Sequence, residues 1–120
     1  MPGQVHRGNA ADFAAIWKDG SLYDHDGVTP LLSRRGPGWA AGNQAATAWR
    51  ANGNVILKGG SSAPFCRIVQ GQVLKGNSYD ILYRLTGDAL CRANGRDIVV
   101  RGPGLTAEEL LLAALVFEKV

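Results

Sequence analysis

Apolar and polar positions alternate along this chain in short bursts. Ile81-Leu82-Tyr83-Arg84-Leu85 carries apolar side chains at its odd positions and an arginine between two of them. Val55-Ile-Leu-Lys-Gly-Gly-Ser-Ser and Val73-Leu-Lys-Gly-Asn-Ser-Tyr-Asp each run from an apolar stretch into turn residues. Alternation with period two, rich in β-branched and aromatic side chains and broken by Gly, Asn, Asp and Ser, predicts strands. Asn52-Gly53, Asn94-Gly95 and Thr86-Gly87-Asp88 are turn signals, because Gly and Asn tolerate positive φ.

The bursts recur every 17 residues. Arg50, Arg67, Arg84 and Arg101 share one phase of this period. Arg7, Lys58, Lys75 and Arg92 share a second. Gly8, Gly42, Gly59 and Gly76 occupy the next position, and Asn9, Asn43, Asn77 and Asn94 the one after. Gly36, Gly53, Gly87 and Gly104 form a further set. Six copies cover residues 4–104, each read as a β-hairpin, which predicts about twelve short antiparallel strands. The first copy fits least well, since Ala10 to Lys18 also reads as a helical turn.

The repeat stops at Gly102-Pro103-Gly104, and residues 105–120 are predicted to hold a helix. Thr106 with Glu109 three residues later is a capping box, and Glu108 and Glu109 suit the positive end of a helix. Leu110 to Phe117 then has no polar residue on any face, so the helix must be surrounded. At ~1.5 Å per residue it extends roughly 20 Å, which fits inside a small sheet structure. Two arrangements bury it. The strands close into a barrel that the helix fills, or helices from two or more copies of the chain pack together across a subunit interface in a homo-oligomer. Closure is favoured because it removes exposed sheet edges. The predicted fold class is therefore all-β with one C-terminal helix, in a single domain.

Composition sharpens this picture in two places. The 16 glycines among 120 residues are explained by repeated turns, since only 5 prolines accompany them. The net charge of +3 hides a concentration of cations. Residues 49–102 carry eight Lys and Arg against three Asp, whereas residues 1–48 balance four against four. The row Arg50, Lys58, Arg67, Lys75, Arg84, Arg92, Arg101 is spaced alternately by eight and nine, one cation for each successive strand. With hairpins turning near Asn54, Gly71 and Asp88, Arg50 would face Lys58, Arg67 would face Lys75 and Arg84 would face Arg92. Like charges opposed across a sheet are unfavourable unless an anion relieves them. This row is thus the candidate anion-binding site, for an acidic protein, a lipid headgroup or a nucleic acid. The competing explanation is that duplication copied one solvent-facing cation into every unit.

The pattern Leu74-Lys-Gly-Asn-Ser78 with Tyr83-Arg-Leu-Thr-Gly-Asp88 resembles hairpin repeats of uncharacterised bacterial proteins. The order of twelve strands and then an apolar helix resembles the tubby, LURP-one and scramblase-like barrels. That second resemblance is architectural. It implies a barrel wrapped on Leu110 to Phe117 and recognition of anionic lipid headgroups, with no functional residue carried over.

Other chemistry is sparse. Asp24, His25 and Asp26 offer two carboxylates and an imidazole, yet oxygen-ligand loops need more ligands at set offsets, so an Asp-Gly turn is expected. Cys66 and Cys91 are expected as buried thiols in inward-facing slots, and Trp17, Trp39 and Trp49 as core residues. No nucleophile, phosphate-loop or Cys-x-x-Cys pattern occurs, so neither an enzyme nor a cofactor is expected. With no signal peptide and no apolar run longer than eight residues, a cytoplasmic chain that does not cross a membrane is expected. The functional expectation is a binding or assembly module that meets an anionic partner through the basic row. Self-assembly through sheet edges or the helix, and a small lectin-like barrel, are the alternatives.

Overall fold

The computed structural model describes residues 3–8, 10–93 and 96–118. It contains twelve antiparallel strands: β1 (Gly3–Arg7), β2 (Phe13–Lys18), β3 (Ser21–Asp24), β4 (Pro30–Arg35), β5 (Gly38–Ala41), β6 (Thr47–Asn52), β7 (Val55–Lys58), β8 (Pro64–Val69), β9 (Gln72–Lys75), β10 (Ile81–Thr86), β11 (Ala89–Arg92) and β12 (Ile98–Arg101). One helix follows, α1 (Ala107–Phe117). Each strand pairs with its sequence neighbours, and β12 pairs back onto β1, so the sheet is a closed barrel.

The 17-residue period now has a physical composition. A four-residue strand leads through a five-residue loop to a six-residue strand, and a two-residue turn leads to the next unit, as in β7, residues 59–63, β8 and residues 70–71. The two-residue turns collect at one end of the barrel and the five-residue loops at the other. At the turns, Asp19-Gly20 and Gln70-Gly71 both hold positive φ at both positions, the geometry that matches strand twist in a tight hairpin. The turns at Gly36-Pro37, Gly53-Asn54 and Gly87-Asp88 place only the glycine there. Asn94-Gly95 and Asn9 lie outside the described residues.

A bulge recurs with the same period. On the five-residue-loop side of each unit the register slips by one, leaving Ala14, Leu31, Ala48, Phe65, Leu82 and Val99 without a direct partner. Each bulge bends its strand and adds twist, which is what curls a flat ribbon of hairpins into a closed wall. The loop that opens each unit is tied to the bulge. Gly59 donates its N–H to the Ala48 carbonyl at 2.7 Å, and Gly76 does the same to Phe65 at 2.8 Å. Gly59 stands at φ 57°, where a side chain is strained, which accounts for glycine at this phase.

The first copy is a hairpin like the others. Of the stretch Ala10 to Lys18, which also reads as a helical turn, Phe13–Lys18 forms strand β2, held between β1 and β3. Its Trp17 is buried and donates from Nε1 to the Glu109 carbonyl at 3.0 Å.

Helix α1 fills the lumen. Leu110 through Leu115 are six consecutive residues, none more than 2% exposed, so every face of the helix is covered. Val5, Leu22, Leu32, Trp39, Trp49, Ile56, Cys66, Val73, Tyr83, Leu90 and Val100 point inward and join the helix in a single core. The helix begins at the two-residue-turn end. There the Thr106 hydroxyl accepts from the Glu109 N–H at 3.1 Å, and the Glu109 carboxylate accepts from the Thr106 N–H at 2.9 Å, completing the capping box. In place of a sixth tight turn, Gly102-Pro103-Gly104 diverts the chain inward. A Cβ at Gly3 or at Gly102 would overlap the Leu105 side chain, so these two glycines seat Leu105 at the seam. The covering of the helix comes from the chain's own strands and not from a second copy.

Shortening a lumen side chain opens a cavity that the closed wall cannot collapse into. Leu112→Ala is expected to cost about 3–5 kcal/mol in a urea unfolding curve, at the upper part of the range for buried leucines. A loss below about 1 kcal/mol would mean that the helix is not enclosed.

Candidate basic site at the loop end of the barrel

The seven cations of the row do occupy seven successive strands, but not one face. Asn52 pairs with Val55 across a two-residue turn, so Arg50 lies opposite Leu57 and Lys58 opposite Trp49. Arg67 likewise lies opposite Leu74, Lys75 opposite Cys66, Arg84 opposite Cys91 and Arg92 opposite Tyr83. The expected pairs Arg50–Lys58, Arg67–Lys75 and Arg84–Arg92 do not form. A register one residue different sends alternate cations to opposite sides of the wall.

The arginine phase faces outward and is consumed internally. Arg50 donates from Nε to the Gly59 carbonyl at 2.8 Å and from Nη2 to the Ser61 carbonyl. Arg67 repeats this on Gly76, at 2.8 Å, and on Ser78. Arg84 donates to the Ala93 carbonyl at 2.8 Å. Arg101 reaches across the seam to the Ala10 carbonyl at 2.8 Å, the same relative position as Ser61 and Ser78 once the barrel is closed. Ser33 holds this phase in the second copy and donates its hydroxyl to the Gly42 carbonyl. These side chains are clamps. A planar guanidinium fork satisfies two loop carbonyls that no strand can pair. Their stems run beside Leu57, Leu74 and Cys91, which are buried yet stand apart from the lumen core. Cys91 therefore occupies an outer slot, in contrast to the inward slot expected for it. Cys66 is inward, and burial pushes its thiol up to about 12. Both thiols are free.

The second phase forms the inner rim of the loop end. Its six positions are Arg7, Asp24, Ala41, Lys58, Lys75 and Arg92, each the last residue of a four-residue strand or of β1. Each lies opposite a buried inward residue, from Ala15 and Leu32 to Val100. Closure makes Lys58, Lys75, Arg92 and Arg7 a continuous arc on β7, β9, β11 and β1. They ring the C-terminal end of α1, the negative end of its dipole, where the helix itself carries no basic residue in its last turn. Glu118 caps this end. Its carboxylate takes two hydrogen bonds from Arg92, at 3.2 and 2.9 Å, and one from the Tyr83 hydroxyl at 2.9 Å. Burial and this contact push the Tyr83 phenol well above its ordinary pKa. Arg7 lies 5.6 Å from the Phe117 ring centroid, and Lys58 lies 5.7 Å from that of Trp49. Among the described residues neither Lys58 nor Lys75 has a carboxylate within ion-pair distance. Arg7 was visible on the repeat phase, but only closure of the barrel brings it beside Arg92.

Among the described residues, two large apolar side chains are exposed, Val28 and Tyr79, at 75% and 87%, both in loops at this end. Asp24 ends β3, and His25 and Asp26 lie in the loop that follows; their contacts are local. Asp24 accepts from the His25 N–H at 2.8 Å and contacts its Nδ1 at 3.0 Å. Asp26 accepts from the Thr29 hydroxyl at 2.6 Å and from the Thr29 and Val28 N–H groups, which hold its carboxyl down at about 2. That lowered value means the loop contribution of Asp26 is complete above the ordinary carboxylate pKa and is lost as pH falls toward about 2. Among the described residues no group of three His, Cys, Asp or Glu side chains is placed to hold a metal. No described helix is long and apolar enough to cross a membrane.

No protein-family model, curated protein or solved structure matches this chain.

The clamp reading separates arginine from lysine. Arg67→Met is expected to lower unfolding stability by about 1–2 kcal/mol, since two charge-assisted hydrogen bonds are lost at a partly exposed site. Arg67→Lys is expected to recover little of it, because an ammonium lacks the fork. Equal stability of Arg67→Lys and the parent chain in urea would show that Arg67 serves only as a charge.

Proposed function

We propose that this chain is a non-enzymatic binding module, and that Lys58, Lys75 and Arg7, on the arc at the loop end of the barrel where Arg92 is paired with Glu118, engage an anionic lipid surface. The observation that carries the reading is the split of the cation row. The outward arginines are spent on loop carbonyls, while Lys58 and Lys75 remain exposed on one rim. Exposed Tyr79 and Val28 project from loops at the same end. Cations with an exposed aromatic side chain on the loop that follows Lys75 suit the headgroup region of an anionic bilayer, where charge and a small apolar surface both contribute.

An extended nucleic acid finds less support. Trp49 and Tyr83, the aromatics within the row, are buried in the lumen and offer no platform for stacking bases. Self-assembly through sheet edges or through the helix also finds less support, because the edges are paired and the helix is enclosed. A lectin-like role would call for hydroxyl and carboxamide side chains around a recess, and neither recess at this rim is lined by them.

Each basic side chain near an anionic membrane contributes about 1 kcal/mol. Lys75→Glu is therefore expected to weaken co-sedimentation with phosphatidylserine-containing vesicles at least tenfold at low salt. Arg84→Gln is expected to leave it nearly unchanged. Vesicle binding that is absent in the parent chain, or that survives Lys75→Glu but is lost in Arg84→Gln, would contradict the proposal.

A further inference from the structure

The rim at the loop end has one gap. Five of its six positions carry Arg, Lys or Asp, and the sixth is Ala41. Beneath Ala41 a recess of about 410 Å³ opens between the barrel wall and the last turns of α1. Its floor and sides are Leu31, Ala48, Trp49, Leu115 and Val116, and Lys58 stands at its edge. Where the rim position is filled at Arg92 and Arg7, the corresponding recess is smaller, about 240 Å³, and Glu118 lies within its lining.

We propose that the Ala41 recess binds a medium-chain alkyl carboxylate, with the tail against Leu115 and Trp49 and the carboxylate on Lys58. Three features carry this. The volume lies in the range of small-molecule sites, and the lining is aliphatic and aromatic with a single cation, the usual make-up of such sites. The charge pattern sets the orientation. The rest of the lining carries no charge, so Lys58 alone attracts an anion, at the mouth of the recess. The position of Lys58 over the Trp49 and Phe65 rings, at 5.7 and 5.9 Å, holds the ammonium at the edge of the apolar surface. The recess shares Lys58 with the arc but does not require the arc to meet a membrane.

The test is a calorimetric or NMR titration of the full chain with decanoate below its micelle concentration, with decanol and hexanoate alongside. One saturable site is expected for decanoate, with binding at least tenfold weaker for the uncharged and the shorter ligand. Ala41→Met places a long side chain where four other copies carry Lys or Arg, so the fold should accept it. It is expected to weaken decanoate binding at least tenfold and to leave vesicle binding unchanged. Lys58→Met is expected to weaken decanoate to the level of decanol. Lys75→Glu, which impairs the membrane arc, is expected to leave decanoate binding intact. The inference is overturned by absence of a saturable site, or by decanoate binding that both Ala41→Met and Lys58→Met retain.

Discussion

A twelve-stranded barrel is too wide for its own side chains to fill. About eight strands is the size at which inward side chains meet across the middle, and diameter grows roughly in proportion to strand number. The remaining space suits one helix, about 10–12 Å across with its side chains. Leu110 to Leu115 meets that demand with a segment apolar on every face. The dependence runs both ways. Strands of four to six residues have little stability as open hairpins, and such a helix has no acceptable environment in water. The fold is a mutual burial, and the capping box and the Leu105 seat between two glycines only guide the helix into the lumen.

Closure also gives meaning to the repeat. A wall made of six equal units can return to its start only if each unit turns the sheet by a similar amount. The periodic bulges at Leu31, Ala48, Phe65, Leu82 and their equivalents supply that turn. The arginine clamps then fix the five-residue loops to which the bulges lead. That Arg101 clamps Ala10 as Arg50 clamps Ser61 shows the interaction continuing through the point where the chain is discontinuous.

Most of the architecture was legible in the chain. The 17-residue period, the hairpins and the Thr106–Glu109 cap all correspond to elements of the structure. The site was legible only in part, for one reason. A turn centred on Asn54 and a turn at Gly53-Asn54 differ by half a residue, yet the difference decides whether Arg50 faces Lys58 or Leu57. Local pattern could not separate them, because outer slots hold Leu57, Leu74 and Cys91 under arginine stems and so look like core. The clamps were hidden because they join a side chain to loop carbonyls, which any sequence possesses. The rim arc was hidden because Arg7 and Arg92 are neighbours only in the closed barrel.

Native-state hydrogen exchange tests the central claim most directly. If the helix and the wall depend on each other, the amides of Leu111 to Leu115 exchange only through global unfolding. They would then show the same free energy and denaturant dependence as the slowest amides of β9 and β10. Helix amides that exchange at a distinctly lower free energy than these strands would contradict it, because the barrel would then stand with its lumen open.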